Sequence, residues 1–136
     1  MVDAAADDSN HLLPHWYGPG AERGDEDALT LVKWDSPAFC NPPYSRDIHT
    51  WLAKFEEQKQ LGNSVVALLP AKTGTRWWWE GVYGKKCDII FLTGRVPFER
   101  DARFEPSAPN HDSAIVIYAP DATGQVGWWD WKAGAY

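Results

Sequence analysis

Residues 39–45 read Phe-Cys-Asn-Pro-Pro-Tyr-Ser, and the middle of that run carries the chain's most suggestive chemistry. Two adjacent prolines fix two φ angles and remove two backbone donors. The carbonyls of Asn41 and Pro42 are then less readily tied into a ladder, and the Asn41 side chain adds an amide oxygen as a further acceptor. Tyr44 supplies a flat aromatic face a few residues away. A rigid set of acceptors beside a stacking platform suits a planar group that bears an NH₂. A strand-to-helix turn built for structure alone would use the same four residues.

The elements around this tetrapeptide decide where it sits. "AFC" at 38–40 reads as a brief buried strand. "SRDIHTWLAKFEEQKQLG" has helical spacing, with Ile48, Trp51, Leu52 and Phe55 on one face and Lys54, Glu56, Glu57 and Lys59 on others. Ser45 is its expected N-cap and Gly62 its stop. "SVVALLP" at 64–70 is a continuous apolar run, as in a strand buried on both faces of a parallel sheet. "TRWWWEGVYG" at 75–84 predicts a helix, "CDIIFLTG" at 87–94 and "SAIVIYAP" at 113–120 further strands, and Leu29–Trp34 a short strand in an otherwise loop-rich region. Strands alternating with helices indicate an α/β sheet. Ligands bind such sheets beyond the carboxyl ends of the strands, which is where the diproline falls. The tryptophan-rich segment 121–136 has no clear period and reads as a tail after a domain spanning 1–120.

Composition narrows the function further. With 136 residues the chain makes one domain. No apolar run approaches the ~20 residues of a membrane span, and the acidic start "MVDAAADDSN" is no signal peptide, so the expectation is a cytoplasmic protein. Cys40 and Cys87 read as buried free thiols, and no Cys/His cluster has zinc spacing. The net charge of −6 argues against nucleic acid, but it is unevenly spread. Residues 1–35 hold eight acids against two bases, whereas residues 71–104 hold seven bases against four acids.

The longer pattern resembles the phage-type DNA N6-adenine methyltransferases, which use S-adenosylmethionine. The resemblance rests on "VDAAA" at 2–6, "DAL" with Trp34, "FCNPPYS" at 39–45, "VVALLPAKTGTRWWW" at 65–79, "IIFLTGRVPF" at 89–98 and "SAIVIYAP" at 113–120, in that order. It implies a Rossmann-like methyltransferase fold, mostly parallel with an antiparallel edge. It implies an adenine, flipped from the duplex or single-stranded, stacked on Tyr44, with Asn41, Pro42, Pro43 and Tyr44 as the catalytic motif and no metal. It also places Asp3 and Ala4 beside the methionine part of the donor, with Asn41 bordering that pocket, and Asp27 and Ala28 beside the donor's adenine. Lys72, Thr73, Arg76 and Arg95 face the DNA. Family members carry a further segment ahead of the first strand motif, and no Gly-rich donor loop is present here, only alanines. Three readings follow from the resemblance: the tail 121–136 or another chain completes the donor pocket, the sequence is a fragment of a longer protein, or the protein is a degenerate relative. Read from the residues alone, Asp3 is a solvated acid, Asp27 a capping one, and the polar side chains after residue 70 ordinary loop residues. A protein glutamine, an RNA base and a non-catalytic DNA-binding role stay open beside DNA adenine.

Overall fold

The computed structural model describes residues 1–6, 12–18, 27–44, 47–96 and 111–133. Their strands form one six-stranded mixed sheet, ordered β1-β2-β3-β5-β4-β6. The strands are β1 (Val2–Asp3), β2 (Ala38–Cys40), β3 (Val65–Pro70), β4 (Asp88–Leu92), β5 (Ser113–Tyr118) and β6 (Val126–Trp129). Helix α1 is Ile48–Gln60 and α2 is Arg76–Gly81. β1, β2 and β3 pair in parallel, β5 is antiparallel to both β3 and β4, and β6 returns parallel to β4. The expected antiparallel strand is therefore inside the sheet, not at its edge. β4 follows a helical crossover and β5 follows β4 in the opposite sense, so β5 slots between two strands that run the same way.

Alternation along the strands sends one set of side chains to each face. Val65, Ala67 and Leu69 of β3 are buried, as are Ala114, Val116 and Tyr118 of β5. This is the helix-covered face. Phe55 of α1 meets Tyr118 at 5.4 Å, and Trp78 of α2 stacks on Phe91 of β4 at 6.1 Å. On the opposite face Val66, Leu68, Ile115 and Ile117 are half-buried. β3 is thus not equally buried on both faces, as its unbroken apolar run suggests.

The α1 face is buried through Ile48, Trp51, Leu52 and Phe55 as its spacing predicts, but Lys54 and Gln58 are buried too. Lys54 lays its aliphatic stem along the protein and keeps its ammonium on Glu57 at 3.1 Å. The helix stops at Gly62, whose φ of +89° no β-carbon-bearing residue adopts comfortably. The expected cap, Ser45, lies outside the described residues. α2 is shorter than its sequence suggests and passes into a 3-10 turn at Tyr83–Lys85. Of its three tryptophans only Trp78 is buried, and Trp79 is 57% exposed.

α1 and α2 approach closely at Gly81. A β-carbon there would lie 2.5 Å from Leu52 Cδ1 and 3.0 Å from Leu52 Cβ. Gly81→Ala on an open helix would gain up to about 1 kcal/mol. Here overpacking costs about 1–3 kcal/mol, so the net sign reverses. The expected result is a melting temperature lowered by roughly 5 °C in thermal denaturation.

Two further segments differ from the sequence reading. Residues 29–34 form turns, with no strand, because Trp34 is drawn into the core. Its backbone N–H donates to Gln58 Oε1 at 2.8 Å and its indole N–H to Ala28 O at 2.8 Å. The stretch 126–129, read as part of an aperiodic tail, is edge strand β6. The Asp88 carboxylate fixes its entry turn by accepting the N–H groups of Thr123, Gly124 and Gln125 at 3.2, 3.1 and 2.9 Å.

Candidate active site at the carboxyl edge of the sheet

All strands except β5 point the same way. Their carboxyl ends and the start of β5 therefore share one edge. That edge carries Asn41–Tyr44 after β2, Lys72 and Thr73 after β3, Arg95 after β4, and His111 and Asp112 before β5. Asn41 is half-buried, Pro42 buried and Pro43 exposed. The Tyr44 hydroxyl donates toward Asn41 Oδ1 at 2.6 Å and toward Leu68 O at 3.0 Å. The residue is 37% exposed, and its ring meets the His111 ring edge-on at 5.3 Å. The hydroxyl end is sunk while the ring stays partly open. Burial of that end, with Cys40 beside it, pushes the phenol pKa above its ordinary value.

The neighbouring loops interlock at Asp112. Its carbonyl accepts the Ala71 N–H at 2.8 Å, and its carboxylate pairs with Arg95 at 3.7 Å. This ties the loops that carry Lys72 and Arg95 to the residue that follows His111. Thr75 holds the same loop through a 2.7 Å bond from its hydroxyl to Lys72 O. Arg76 opens α2 one residue later, and its guanidinium is paired with Glu80 at 2.7 Å. Thr73 is exposed at the loop's tip.

His111 and the Leu68 carbonyl carried no expectation. His111 belongs to the one strand that runs against the others, so its start comes to the edge where the rest end. A lone histidine gives no sign of that. Leu68 is a plain apolar strand residue whose relevant group is its backbone.

The family model for DNA N-6-adenine-methyltransferases (Dam) matches residues 1–128. The chain belongs to the Dam family. Neither the curated proteins nor the solved structures gave a match. Among the described residues of this Dam-family chain, no group of three or more His, Cys, Asp or Glu could hold a metal ion. No described helix is long and apolar enough to cross a membrane.

The residues expected beside the methyl donor fall into two places. Asp3 is buried and its carboxylate is already in use, accepting the N–H groups of Ala5 at 3.4 Å and Leu12 at 2.9 Å. The same residue's backbone bonds His15 and Tyr17. It organises segment 12–17 and is not a solvated acid. Ala4 is buried beside it. Asp27 is exposed, and its Oδ1 accepts the Leu29 N–H at 2.9 Å in a local turn. A carboxylate has acceptor capacity for more than one donor, so Asp27 fits an exposed amine. Ala28 is buried with Trp34. Among the described residues no hydrogen bond joins Asp27 or Ala28 to the Asn41–Tyr44 cluster.

Both thiols of the Dam-family chain are free and buried. Burial, then the Asp3 charge, raises Cys40 well above the ordinary range. Burial raises Cys87 to about 12 despite the opposing charge of Lys59. Burial also raises Tyr118. In the unfolded chain these thiols lose their protons near pH 8.5. The folded chain holds them longer. Stability is therefore complete below about pH 8 and falls as the pH climbs from there toward 12. Melting temperatures measured across that window should decline, and a thiol reagent at pH 8 should modify both cysteines only after unfolding.

Proposed function

We propose that this protein transfers a methyl group from S-adenosylmethionine to the exocyclic N6 amine of adenine in DNA. One observation carries the reading: in a chain of the Dam family, a side-chain oxygen of Asn41 stands at the carboxyl end of a parallel strand, bonded only to the Tyr44 hydroxyl among the described residues. A carboxamide oxygen accepts more than one donor, so Asn41 Oδ1 has capacity for a base amine beside that hydroxyl. The Rossmann-like reading of the sheet belongs to the same proposal.

The chemical problem is the amine. Its lone pair is delocalised into the purine ring, so it is a poor nucleophile. Asn41 Oδ1 and the Pro42 carbonyl accept its two hydrogens and favour a pyramidal nitrogen, which frees the lone pair. S-adenosylmethionine, when bound, supplies an electrophilic methyl on a sulfonium. Holding the nitrogen in line with that methyl lowers the barrier by proximity, and the two acceptors stabilise the positive charge that builds on nitrogen. The nitrogen takes the methyl as the methyl's bond to sulfur breaks, which leaves a neutral thioether, and the nitrogen then gives up one proton to solvent. The amine is inaccessible inside a duplex, so the base is flipped or presented single-stranded. Tyr44 stacks on it, at about 1–3 kcal/mol for such platforms, with the His111 ring against its edge. Lys72, Thr73, Arg76 and Arg95 contact the flanking phosphates. Asp27 accepts a hydrogen bond from the donor's adenine beside Ala28, and Asp3 with Ala4 shapes the wall near its methionine end.

The test is a partition of label. Incubated with S-adenosylmethionine carrying a radioactive methyl, the protein is expected to label unmethylated DNA. Label confined to RNA or to protein glutamine would move the substrate within the same chemistry. DNA retention in a shift assay with no label in any acceptor would overturn the enzyme reading in favour of a binding role.

A further inference from the structure

We propose that Pro70 is a positioning residue for this transfer: with no N–H to give, it keeps the Pro42 carbonyl oxygen unpaired and open to the substrate amine. The role rests on the methyl-transfer reading above and follows from the register of two parallel strands. Ala38 lies opposite Val65, and Cys40 opposite Ala67. In a parallel ladder a residue bonds the two residues that flank its partner. Ala38 N–H accordingly donates to Ser64 O at 2.9 Å. Continued one step beyond Cys40, the same alternation would send the N–H of residue 42 to Leu68 O and the N–H of residue 70 to the carbonyl of residue 42. Both residues are proline, so neither bond forms.

The other side of β3 gives the same parity independently. Ala71 N–H donates to Asp112 O, so odd-numbered residues of β3 aim their N–H groups at β5. Even-numbered ones, Pro70 among them, face β2. Proline inside a sheet is ordinarily confined to edges and bulges. Pro70 instead is fully buried in a strand flanked on both sides. The pair of prolines frees two carbonyls at one point. Leu68 O is taken by the Tyr44 hydroxyl at 3.0 Å, which seats the stacking platform. The Pro42 oxygen receives no hydrogen bond from any described residue, although Pro42 is buried. A buried carbonyl left without a donor is costly unless something else uses it. A base amine is such a donor.

Pro70→Ala gives residue 70 an N–H on the β2 side. That amide is expected to be protected from hydrogen exchange by NMR. The kcat for methylation of adenine-containing DNA should fall about a hundredfold with KM for DNA unchanged. Semisynthesis with lactic acid at position 70 keeps the alanine side chain but replaces the N–H by an ester oxygen, and it should restore kcat. Lost packing would persist in the ester, so the rescue isolates the N–H. A protected amide with unchanged kcat overturns the proposal. So does an amide that exchanges freely, or an ester-linked protein as slow as Pro70→Ala. A wild-type protein that transfers no methyl overturns the functional reading and this role with it, while the exchange measurement still reports whether the ladder closes.

Discussion

Asn41→Ala is expected to reduce methylation of adenine in DNA by about a thousandfold in kcat, the scale for deleting one group preorganised against developing charge. The side chain supplies an acceptor that nothing else at the edge replaces, since the Pro42 oxygen accepts only one of the amine's two hydrogens. The fold scarcely depends on it. Asn41 is half-buried, and its amide is bonded to the Tyr44 hydroxyl alone among the described residues. That hydroxyl keeps Leu68 O, so the platform survives the change. Melting temperature should move by no more than about 2 °C, in line with substitutions away from the core. Asn41→Asp keeps an oxygen and should retain measurably more activity than Asn41→Ala. Loss of activity together with a large fall in melting temperature would assign Asn41 to structure.

Gln58→Leu has the largest expected effect on stability. Gln58 is completely buried on α1. Its Oε1 accepts the Trp34 N–H at 2.8 Å and the Asn63 amide at 2.9 Å, and its Nε2 donates to Val32 O at 2.9 Å. One side chain thus ties the 27–37 segment to the helix. Leucine fills similar volume but leaves the buried Trp34 donor unmet, while exposed Val32 can turn its carbonyl to water. One such buried group costs about 1–3 kcal/mol, against a typical domain stability of 5–15 kcal/mol. Thermal melting should fall by roughly 5–10 °C. Because Ala28 lies on the same segment, binding of S-adenosylmethionine should weaken in the folded fraction.

These two residues mark how far the sequence was legible. Asn41 was readable because its chemistry is local: a polar residue before two prolines, after an apolar strand and before an amphipathic helix, needs no tertiary knowledge to be placed at a strand end. β2, β3, β4, β5 and α1 were readable for the same reason, from the period of their apolar residues. Gln58 was not. On the helical repeat it is one more polar residue among Glu57, Lys59 and Gln60, and only the return of residues 32–34 across α1 makes it a core group. Trp34 shows the converse. Its neighbours Leu29, Leu31 and Val32 look like a strand, yet the indole's demand for burial with a partner for its N–H bends the chain into turns. β6 escaped because its pairing with β4 is fixed from outside, by the Asp88 carboxylate holding the preceding turn. His111 escaped because strand direction, which no periodicity reports, brings it beside Tyr44. Pro70 reads in sequence only as the end of an apolar run. Its bearing on Pro42 appears once the register of β2 against β3 is known.

The central claim is that oxygens at the end of β2 receive an adenine amine and prepare it for methylation. Identification of the product tests this most directly. DNA incubated with the protein and S-adenosylmethionine is digested to nucleosides and resolved by mass spectrometry, with the Asn41→Ala protein run in parallel. The expected result is N6-methyldeoxyadenosine as the methylated nucleoside from the wild-type protein and its near absence from the variant. Methyl groups on cytosine alone, or N6-methyldeoxyadenosine undiminished with Asn41→Ala, would contradict it.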